Sequence, residues 1–377
     1  GASWQMDPAH LRDRFVDLDS LPFMDRELIL GKTAFRHHSK RSIMAGRGCP
    51  FRCTYCFEHK WNEMYTNEDG KLKGKVLQRY SVRRLCDELV QLKKDWPNTV
   101  FIKFYDDVFP CFGKEDLAWL EEFAELYPKM VGLPFHALVR ADLVDEPGTP
   151  ALRALKKSGI ASLTMSIEGG NKFSRDHVLI RDMTAENLRN AFKACREQRI
   201  NTFANTILAV PVPTLPDVKA SELDYRKQLD RVLKVASVVD PKRKKRAVEI
   251  KKLIADAQAS VPEGGPAQRK AVDRALRGIH VRERNIDYDL ESLWYNVRIG
   301  VSFGEFPVFF PYDGTQLGVW SLDLEAFDGD YDKLHESYQT ASPLDCFDER
   351  EKLWQQNLAL LGTVVQTRSG SNTPLIR

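Results

Sequence analysis

The sequence predicts an α/β fold, a partial (βα)6 TIM-like barrel with a helical insertion and a C-terminal helical extension. From about residue 41, short apolar strands alternate with amphipathic helices, which is typical of parallel βαβ units with right-handed crossovers. Six such strands are predicted, and six units can curve into an incomplete barrel whose functional residues gather at the carboxyl ends of the strands. A flat, doubly wound sheet is the alternative, because periodicity alone does not separate the two arrangements.

The elements follow one another in a regular order along the chain. The predicted strands are Arg41–Gly46, Val100–Tyr105, Phe135–Val139, Ser162–Ile167, Thr202–Val210 and Phe306–Phe310. The predicted helices are Val82–Trp96, Lys114–Tyr127, about Pro150–Lys157, Thr184–Gln198, about Leu290–Val297 and about Glu349–Val364. Gly159 is expected to end the helix that begins at Pro150, and Thr184 is expected to cap the helix that it begins.

These elements divide the chain into a barrel and three additions. The barrel takes residues 41–216 and 288–318, an N-terminal linker or extension takes residues 1–40, and a C-terminal extension takes residues 319–377. The regular alternation breaks after residue 213, and residues 217–287 read as a basic helical insertion. Helices are predicted there over Ser221–Val235, Arg243–Ala259 and about Ala267–Arg277, with a Pro/Gly break before the last.

Composition favours a globular, cytoplasmic protein. Of the 377 residues, 43% are hydrophobic and 29% charged, which suits a sizeable core. No apolar run reaches the roughly 18–20 residues of a membrane span, and residues 1–5 lack the pattern of a signal peptide. Seven cysteines are an odd number for a disulfide framework, and three of them crowd into eight residues. In a reducing compartment such a cluster indicates metal ligation or redox chemistry.

The insertion differs in charge from the rest of the chain. Between Lys219 and Arg284 there are 18 Lys and Arg against 9 Asp and Glu, a local charge of +9, whereas the whole chain carries +3. The run Lys242–Arg246 would suit an acidic partner such as RNA, an acidic leader peptide or a ferredoxin. A solvated helical hairpin is the alternative. The absence of interleaved aromatic residues argues against stacking on single-stranded nucleic acid.

The cysteine cluster directly follows the first predicted strand. Cys49, Cys53 and Cys56 form a CxxxCxxC spacing in the segment from Gly46 to Phe57. Three thiolates this close can hold three corners of a cubane iron–sulfur cluster and leave the fourth iron open for substrate chemistry. A zinc site with His59 as a fourth ligand and buried cysteines without metal are the alternatives.

With Tyr55 before its last cysteine, the motif resembles the CxxxCxΦC signature of the radical S-adenosylmethionine (SAM) superfamily, where Φ is aromatic. The resemblance runs from about Leu18 to Gly318 and is similar in style to the subgroup that usually carries an N-terminal cobalamin-binding domain. Further segments that match are Leu18–Phe23, Phe104–Phe109, Ser166–Gly170, Leu179–Thr184 and Phe310–Leu317.

The resemblance implies a [4Fe–4S] cluster on the three cysteines, and SAM chelated to the open iron through its amino and carboxylate groups. Asp107, preferred to Asp106, would accept from the methionine ammonium, and a helix cap or turn is the alternative. Glu168 and Ser166 would bind the ribose hydroxyls. Arg181 would bind the methionine carboxylate, the alternative being a surface arginine that precedes a helix.

The adenine would lie against the fifth predicted strand and the cysteine motif. The resemblance implies contacts from Asn205, Ile207 and Leu208, and Tyr55 would pack against the ring. The chain departs from the family pattern just beyond them, where the usual glycine and later Glu-Thr become Ala209, Val210 and Val212-Pro213-Thr214. The adenine contacts therefore carry the least support.

Substrate-side residues are less well defined. His136 and Arg140 lie on or just after the third predicted strand, and a structural role is an equal alternative for both. Cys111 follows the two aspartates in a predicted mouth loop, where its thiol would be able to donate a hydrogen atom. An ordinary structural or exposed cysteine is the alternative.

Cobalamin chemistry needs a domain that these residues do not supply. The Asp-x-His-x-x-Gly motif is absent, Asp7-Pro-Ala-His10 has the wrong spacing, and about 40 residues before the barrel are too few for that domain. If Met6 is the native start, the protein would lack the domain. Otherwise the domain would precede this sequence or belong to another chain.

The sequence therefore predicts a radical SAM enzyme that generates a 5′-deoxyadenosyl radical and abstracts hydrogen from a small molecule or peptide. Its electrons would come from a flavodoxin- or ferredoxin-like donor. A cobalamin-dependent methyltransferase is the first alternative. A non-catalytic zinc or nucleic-acid-binding module is the second.

Overall fold

The structure, a computed structural model, describes residues 14–211, 252–275 and 286–369 apart from short gaps. The gaps fall at residues 68, 70, 73, 111, 146–147, 173, 263–264, 266, 269, 273–274, 324–325, 334–336 and 338. Cys111, the helix expected over Ser221–Val235 and the basic run Lys242–Arg246 lie outside the described residues. Within the insertion, residues 252–259 are helical, in agreement with the end of the helix expected over Arg243–Ala259.

A six-stranded parallel sheet forms the centre of the fold. Its strands are β1 (Lys40–Ile43), β4 (Phe101–Phe104), β5 (Phe135–Leu138), β6 (Ile160–Thr164), β7 (Asn201–Asn205) and β8 (Phe303–Glu305), while β2 (Gly46–Arg47) and β3 (Gln78–Arg79) form a separate antiparallel pair. The six strands lie side by side in chain order and every pair is parallel. Because right-handed crossovers in one direction put all helices on the same face, this order belongs to a partial barrel. A doubly wound sheet would reverse direction at a switch point, so that alternative is wrong.

Two strand predictions are wrong in their bounds for identifiable reasons. The strand expected over Arg41–Gly46 ends at Ile43, because the carboxylate of Asp106 accepts from the backbone N–H groups that follow, and Gly46 then pairs with β3 instead. The strand expected over Phe306–Phe310 lies at Phe303–Glu305. Pro307 has no N–H to donate, so the regular ladder stops before it and pairing returns only as an isolated bridge.

The middle strands are also shorter than expected. The strand expected over Ser162–Ile167 occupies Ile160–Thr164, and the strand expected over Thr202–Val210 ends at Asn205. Beyond these ends, the segments that follow β6 and β7 stay next to each other through an isolated parallel bridge between Glu168 and Thr206. The extra residues assigned to strands therefore form the loops at the carboxyl edge of the sheet.

The helices agree more closely with the sequence. They are α1 (Glu58–Glu63), α2 (Val82–Asp95), α3 (Gly113–Met130), α4 (Pro150–Ser158), α5 (Ala185–Glu197), α6 (Ile286–Ile299), α7 (Gln316–Asp323) and α8 (Glu349–Ser369). Gly159 ends α4 with a φ of 93°, and Thr184 forms a reciprocal capping box with Asn187 at the start of α5. In the described part of the chain, no helix has both the length and the apolar character needed to cross a membrane.

Two apolar clusters hold these elements together. The larger packs one face of the sheet against α2, α3, α4 and α5, with Phe104 and Phe135 of the sheet meeting Phe123 of α3. The smaller joins the loops after β6 and β7 to α6, α7 and α8, and includes Leu208 and Leu317. The smaller cluster therefore supports the carboxyl edge of the sheet, where functional residues are expected.

The free edge of β8 is covered by a side chain of α8. The buried amide of Gln366 accepts from the N–H of Gly304 at 3.0 Å and donates to the carbonyl of Val301 at 2.5 Å. The hydroxyl of Thr363 donates to the carbonyl of Gly304 at 2.6 Å. These side chains satisfy backbone groups that a further strand would otherwise pair.

Candidate metal centre and cofactor site

The cysteine loop leaves the sheet through a glycine that no other residue can replace without strain. Gly48 has a φ of 95°, and its N–H donates to the carboxylate of Asp107 at 2.8 Å. A Cβ at this position would lie 2.0 Å from the carbonyl oxygen of Val76. Both the left-handed backbone and the close approach of the two chain segments therefore require glycine immediately before Cys49.

The three cysteines of the motif are free thiols in one short loop. Cys53 is buried, with 6% of its surface exposed, whereas Cys49 and Cys56 are half-buried. The N–H of Cys56 donates to the carbonyl of Cys53 at 3.1 Å, and the side chain of Asn62 on α1 donates to the carbonyl of Cys49 at 2.9 Å. Burial raises the pKa of the Cys56 thiol to about 12, so this sulfur keeps its proton at neutral pH until a metal ion displaces it.

Thr54, between two of the cysteines, fastens the loop to the rest of the site. It is fully buried, and its hydroxyl donates to the carbonyl of Val178 at 2.6 Å while its N–H donates to that of Leu179 at 3.2 Å. Its own carbonyl accepts from the N–H of Leu317 at 2.8 Å. Sequence reasoning missed Thr54, because one threonine among cysteines carries no signal without its distant partners.

Arg181 lies at the centre of a buried polar network beside Cys53. Its Nη1 is 3.5 Å from the Cys53 sulfur and 3.1 Å from the hydroxyl of Tyr55, and its Nη2 donates to the carbonyl of Ser166 at 3.0 Å. The hydroxyl of Tyr55 in turn donates to Glu168 at 3.0 Å. Desolvation raises the pKa of Glu168, while Arg181 and the hydrogen bonds from Tyr55 and Ser166 lower it. The structure thus brings together four of the eight residues that the sequence assigns to SAM, namely Tyr55, Ser166, Glu168 and Arg181.

The backbone around this network is strained. Glu168, Ile180, Asp182 and Ala209 all have positive φ values, of 61°, 47°, 55° and 54° respectively, although none is glycine. Ile180 and Asp182 flank Arg181, Glu168 follows β6, and Ala209 follows β7. Residues held in this region of φ,ψ space cluster at functional sites, where the surrounding structure enforces them.

The adjacent aspartates after β4 have different environments. Asp106 is buried and accepts from the N–H groups of Ala45 at 3.0 Å and Gly46 at 2.7 Å. Burial raises its pKa to about 7 even though these two bonds oppose the shift. Asp107 is exposed and contacts the N–H of Gly48, next to Cys49. Asp106 therefore has a structural role, whereas Asp107 is exposed, and its role toward SAM stays a prediction.

The residues assigned to the adenine lie at the same edge but differ in accessibility. Asn205 is half-buried, and its carbonyl accepts from the N–H of Glu168 at 3.0 Å. The side chain of Leu208 is fully buried in the smaller apolar cluster, against which Tyr55 also packs. Ile207 next to it is half-buried and has its N–H bonded to the carbonyl of Glu168 at 2.9 Å.

His136 and Arg140 make contacts that favour structural roles. His136 is buried between the hydroxyls of Ser162 at 2.7 Å and Thr164 at 2.9 Å, and burial lowers its pKa to about 4. The Arg140 guanidinium lies 3.6 Å from the centre of the Phe51 ring, in the cysteine loop.

Arg140 also donates to the carbonyls of Arg181 at 3.1 Å and Asp182 at 3.2 Å. It therefore connects the cysteine loop to the strained turn that carries Arg181. Sequence reasoning did not anticipate this connection, since Phe51 and Arg181 are distant in the chain.

The donor set fits a [4Fe–4S] cluster. Cys49, Cys53 and Cys56 are unbridged thiols on one loop, tied down by Thr54 and next to a buried cation. Within the described residues, no three His, Cys, Asp or Glu side chains are gathered tightly enough to enclose one metal ion. Each thiolate of a cubane binds a different iron, so cysteines that do not converge on one metal ion are compatible with a cluster.

The parallel half-barrel and the cysteine loop at its carboxyl edge define a radical SAM domain. Residues 43–222 match the profile of the radical SAM superfamily. This part of the chain is therefore a radical SAM domain, a kind of domain that uses a [4Fe–4S] cluster and SAM.

Three solved structures are similar over half of the chain. Two are of the radical SAM methyltransferase TsrM from Kitasatospora setae, one with cobalamin and a [4Fe–4S] cluster and one with tryptophan and a SAM analogue, both at 17% identity. The TM-scores are 0.35 and 0.36, over 50% and 52% of this chain and 34% and 35% of those chains. The third, the cobalamin-dependent radical enzyme OxsB, has 19% identity and a TM-score of 0.37 over 50% of this chain and 26% of that one. The chain thus matches only about a third or less of each. No curated protein sequence matches it significantly.

Proposed function

We propose that the protein abstracts a hydrogen atom from a small molecule or peptide. A [4Fe–4S] cluster held by Cys49, Cys53 and Cys56 would supply the electron that cleaves SAM to methionine and a 5′-deoxyadenosyl radical. The observation that carries the proposal is the contact between the cysteine loop and the Tyr55–Glu168–Arg181 network. These residues come from three separate segments, yet they meet at the carboxyl edge of one parallel sheet.

The carboxylates of the site suit the two polar ends of SAM. Asp107 is exposed beside Cys49, where an ammonium group bound near the cluster would find an acceptor. Glu168 accepts from the hydroxyls of Tyr55 and Ser166 and lies in the field of the Arg181 charge. A carboxylate has about four lone-pair sites, so those left over suit ribose hydroxyls. The half-buried Asn205 and Ile207 offer the adenine a surface next to it.

Arg181 suits the methionine carboxylate through its Nε atom. Both terminal nitrogens already have protein partners, whereas Nε is buried without a hydrogen-bond partner among the described residues. An orphaned buried donor is unfavourable by about 1–3 kcal/mol, and an incoming carboxylate oxygen would relieve it. Burial of Arg181 and Cys53 also keeps water away from the reacting groups.

The substrate would bind to the inner face of the sheet. Lys103 lies in β4 and Tyr105 directly follows the strand, two positions further on, so both lie on that face of the sheet. The Lys103 Nζ atom is 4.2 Å from the centre of the Tyr105 ring. Tyr105 is exposed, which suits contact with a bound molecule. A flavodoxin- or ferredoxin-like protein would supply the electrons, and the basic insertion at 217–287 would suit such an acidic donor or RNA.

Metal analysis tests the proposal directly. Anaerobically prepared wild-type protein is expected to hold about four irons and four sulfides per chain and to lose them in Cys53→Ala. Cys86→Ala is the matched control, because Cys86 is an equally buried thiol on α2 outside the loop. The loaded protein should then convert SAM to 5′-deoxyadenosine under reduction. Zinc, or no metal even after reconstitution, would refute the proposal.

A cobalamin-dependent methylation is the second candidate. It is favoured by the segment from Leu18 to Phe23, which resembles the linker that enters the barrel in the cobalamin-binding subgroup. Here the segment begins with a 3-10 turn, and Asp19 accepts from the N–H of Ser81 at the start of α2. Transfer of a labelled methyl group from SAM only when cobalamin or a cobalamin-binding chain is added would support this reaction over plain hydrogen abstraction.

A further inference from the structure

Arg181 contacts the sulfur of one cysteine of the motif and not the others. Its Nη1 atom is 3.5 Å from the Cys53 sulfur, and in the described part of the chain no other Lys, Arg or His donates to a sulfur of the loop. The neighbours of the other two thiols are acidic. The carboxylate of Asp107 accepts from the N–H of Gly48, the residue before Cys49, and Glu58 follows Cys56 by two positions. The environment of the three thiols is therefore electrostatically uneven.

We propose that Arg181 tunes the iron–sulfur cluster by donating a charge-assisted hydrogen bond to the Cys53 thiolate, which makes the cluster easier to reduce. The inference rests on the proposed function and deepens it, because it concerns the step by which the cluster accepts its electron. Arg181 acts here through Cys53 and is a positioning residue.

The physical reason is the change in charge on reduction. When the cluster gains one electron, negative charge on its thiolate sulfurs increases, and a cation or hydrogen-bond donor beside a sulfur stabilises the reduced form more than the oxidised form. The interaction is strong at this place because Cys53 is 6% exposed and Arg181 is 8% exposed, so water screens it little.

The guanidinium is fixed in the orientation that this role needs. Nη2 is held by the carbonyl of Ser166, and Nη1 is shared between Cys53 and Tyr55. The backbone of Arg181 is in turn held by Arg140, whose Nη1 donates to its carbonyl at 3.1 Å. A lysine would keep the charge but has no planar fork to satisfy these partners together.

The test is the reduction potential of the cluster measured without SAM. Anaerobic protein is titrated with a reductant, and the reduced cluster is followed by electron paramagnetic resonance. At a fixed solution potential, Arg181→Gln is expected to lower the ratio of reduced to oxidised cluster about tenfold, a shift of about 59 mV to more negative potential for one electron. Arg181→Met should shift it similarly, because it also removes the charge and the donor to Cys53, and Arg181→Lys should shift it less.

Arg175→Gln is the matched control. Arg175 is 1% exposed in the same segment and donates to the carbonyls of Met183 and Gly169, but it contacts no cysteine. Its loss should loosen the segment to a similar degree and leave the potential at the wild-type value. An equal shift in Arg175→Gln would overturn the inference, since the effect would then come from general loosening.

The remaining outcomes separate this inference from the proposed function. A wild-type reduction potential in Arg181→Gln and Arg181→Met, together with weaker SAM binding, would overturn the inference about the potential and leave the proposed function intact. If Arg181→Gln cannot be loaded with iron, the Arg181→Met and Arg181→Lys potentials decide, and wild-type values in both overturn the inference. Wild-type protein without a [4Fe–4S] cluster would overturn the proposed function itself.

Discussion

Gly48→Ala is expected to prevent the cysteine loop from closing, and Gly113→Ala provides a matched control. Both glycines have left-handed backbones, with φ values of 95° and 75°. A Cβ on Gly113 would meet nothing within 4 Å, whereas a Cβ on Gly48 would lie 2.0 Å from the carbonyl oxygen of Val76 and 3.1 Å from the side chain of Arg14. The two variants therefore share the backbone strain and differ in the steric clash.

The magnitudes follow from these two contributions. An alanine in the left-handed region lowers the free energy of unfolding by about 1–2 kcal/mol, and this is the whole effect expected for Gly113→Ala. Overpacking against a backbone carbonyl adds about 1–3 kcal/mol or more. The clash is also local, since moving Gly48 away from Val76 breaks its hydrogen bond to Asp107 and displaces Cys49. Gly48→Ala should thus lose stability and cluster binding together.

Iron content and chemical denaturation of the two variants, measured side by side, provide the assay. Gly113→Ala should retain about four irons per chain, while Gly48→Ala should retain few or none and unfold at lower denaturant concentration. Equal stability and equal iron content in the two variants would refute the argument, because it would mean that the loop tolerates a Cβ at the point of closest approach.

Three further predictions concern other parts of the molecule. Burial raises the pKa of Asp289 from 3.8 to about 7, so its stabilising contribution is complete below pH 4 and is lost as pH rises through 7. Asp289→Asn should remove this dependence and exceed the wild type in free energy of unfolding by about 4 kcal/mol at pH 8 but by much less at pH 5, as urea titrations at the two pH values would show. Gln366→Leu should lower the free energy of unfolding by about 2–5 kcal/mol, because it leaves the N–H of Gly304 and a neighbouring carbonyl unpaired, and faster amide exchange in β8 would report it. Arg140→Lys should weaken SAM binding about tenfold, since the lysine loses the stack on Phe51 and the paired bonds to the Arg181 turn, and calorimetry on the loaded protein would measure it. The first prediction would be contradicted if the free energy of unfolding of the wild type did not depend on pH. Unchanged amide exchange in β8 would contradict the second, and unchanged affinity for SAM the third.

The alternation of apolar strands with amphipathic helices was enough to predict the fold class, and the helix bounds were accurate where a cap or a glycine marked them. The strand ends were less accurate because long-range contacts decide them. Asp106 takes the amides that would have extended β1, although it is 60 residues away from Gly46. Gln366 ends the sheet from a helix that lies beyond every strand in the chain. The proposed division of the chain into four parts remains a prediction.

The site was predictable to the extent that its residues are close together in the sequence. The three cysteines lie within eight residues, so their spacing alone indicates a metal centre. Arg181 and Cys53, in contrast, are 128 positions apart, and Thr54 and Val178 are 124 apart. The resemblance to a known family supplied Arg181 and the other SAM ligands singly, but only the structure shows which of them contact one another. Their roles toward SAM remain predictions.

The four left-handed residues around the network have a consequence for how the enzyme tolerates mutation. At about 1–2 kcal/mol each, Glu168, Ile180, Asp182 and Ala209 together store an amount comparable to the net stability of a typical domain, about 5–15 kcal/mol. That energy has to come from the packed helices and sheet beneath them. A substitution deep in the larger apolar cluster, far from any ligand, would therefore let these four residues return to unstrained backbone conformations before it unfolds the protein. Loss of SAM binding at temperatures where the helices are still intact would be its first sign.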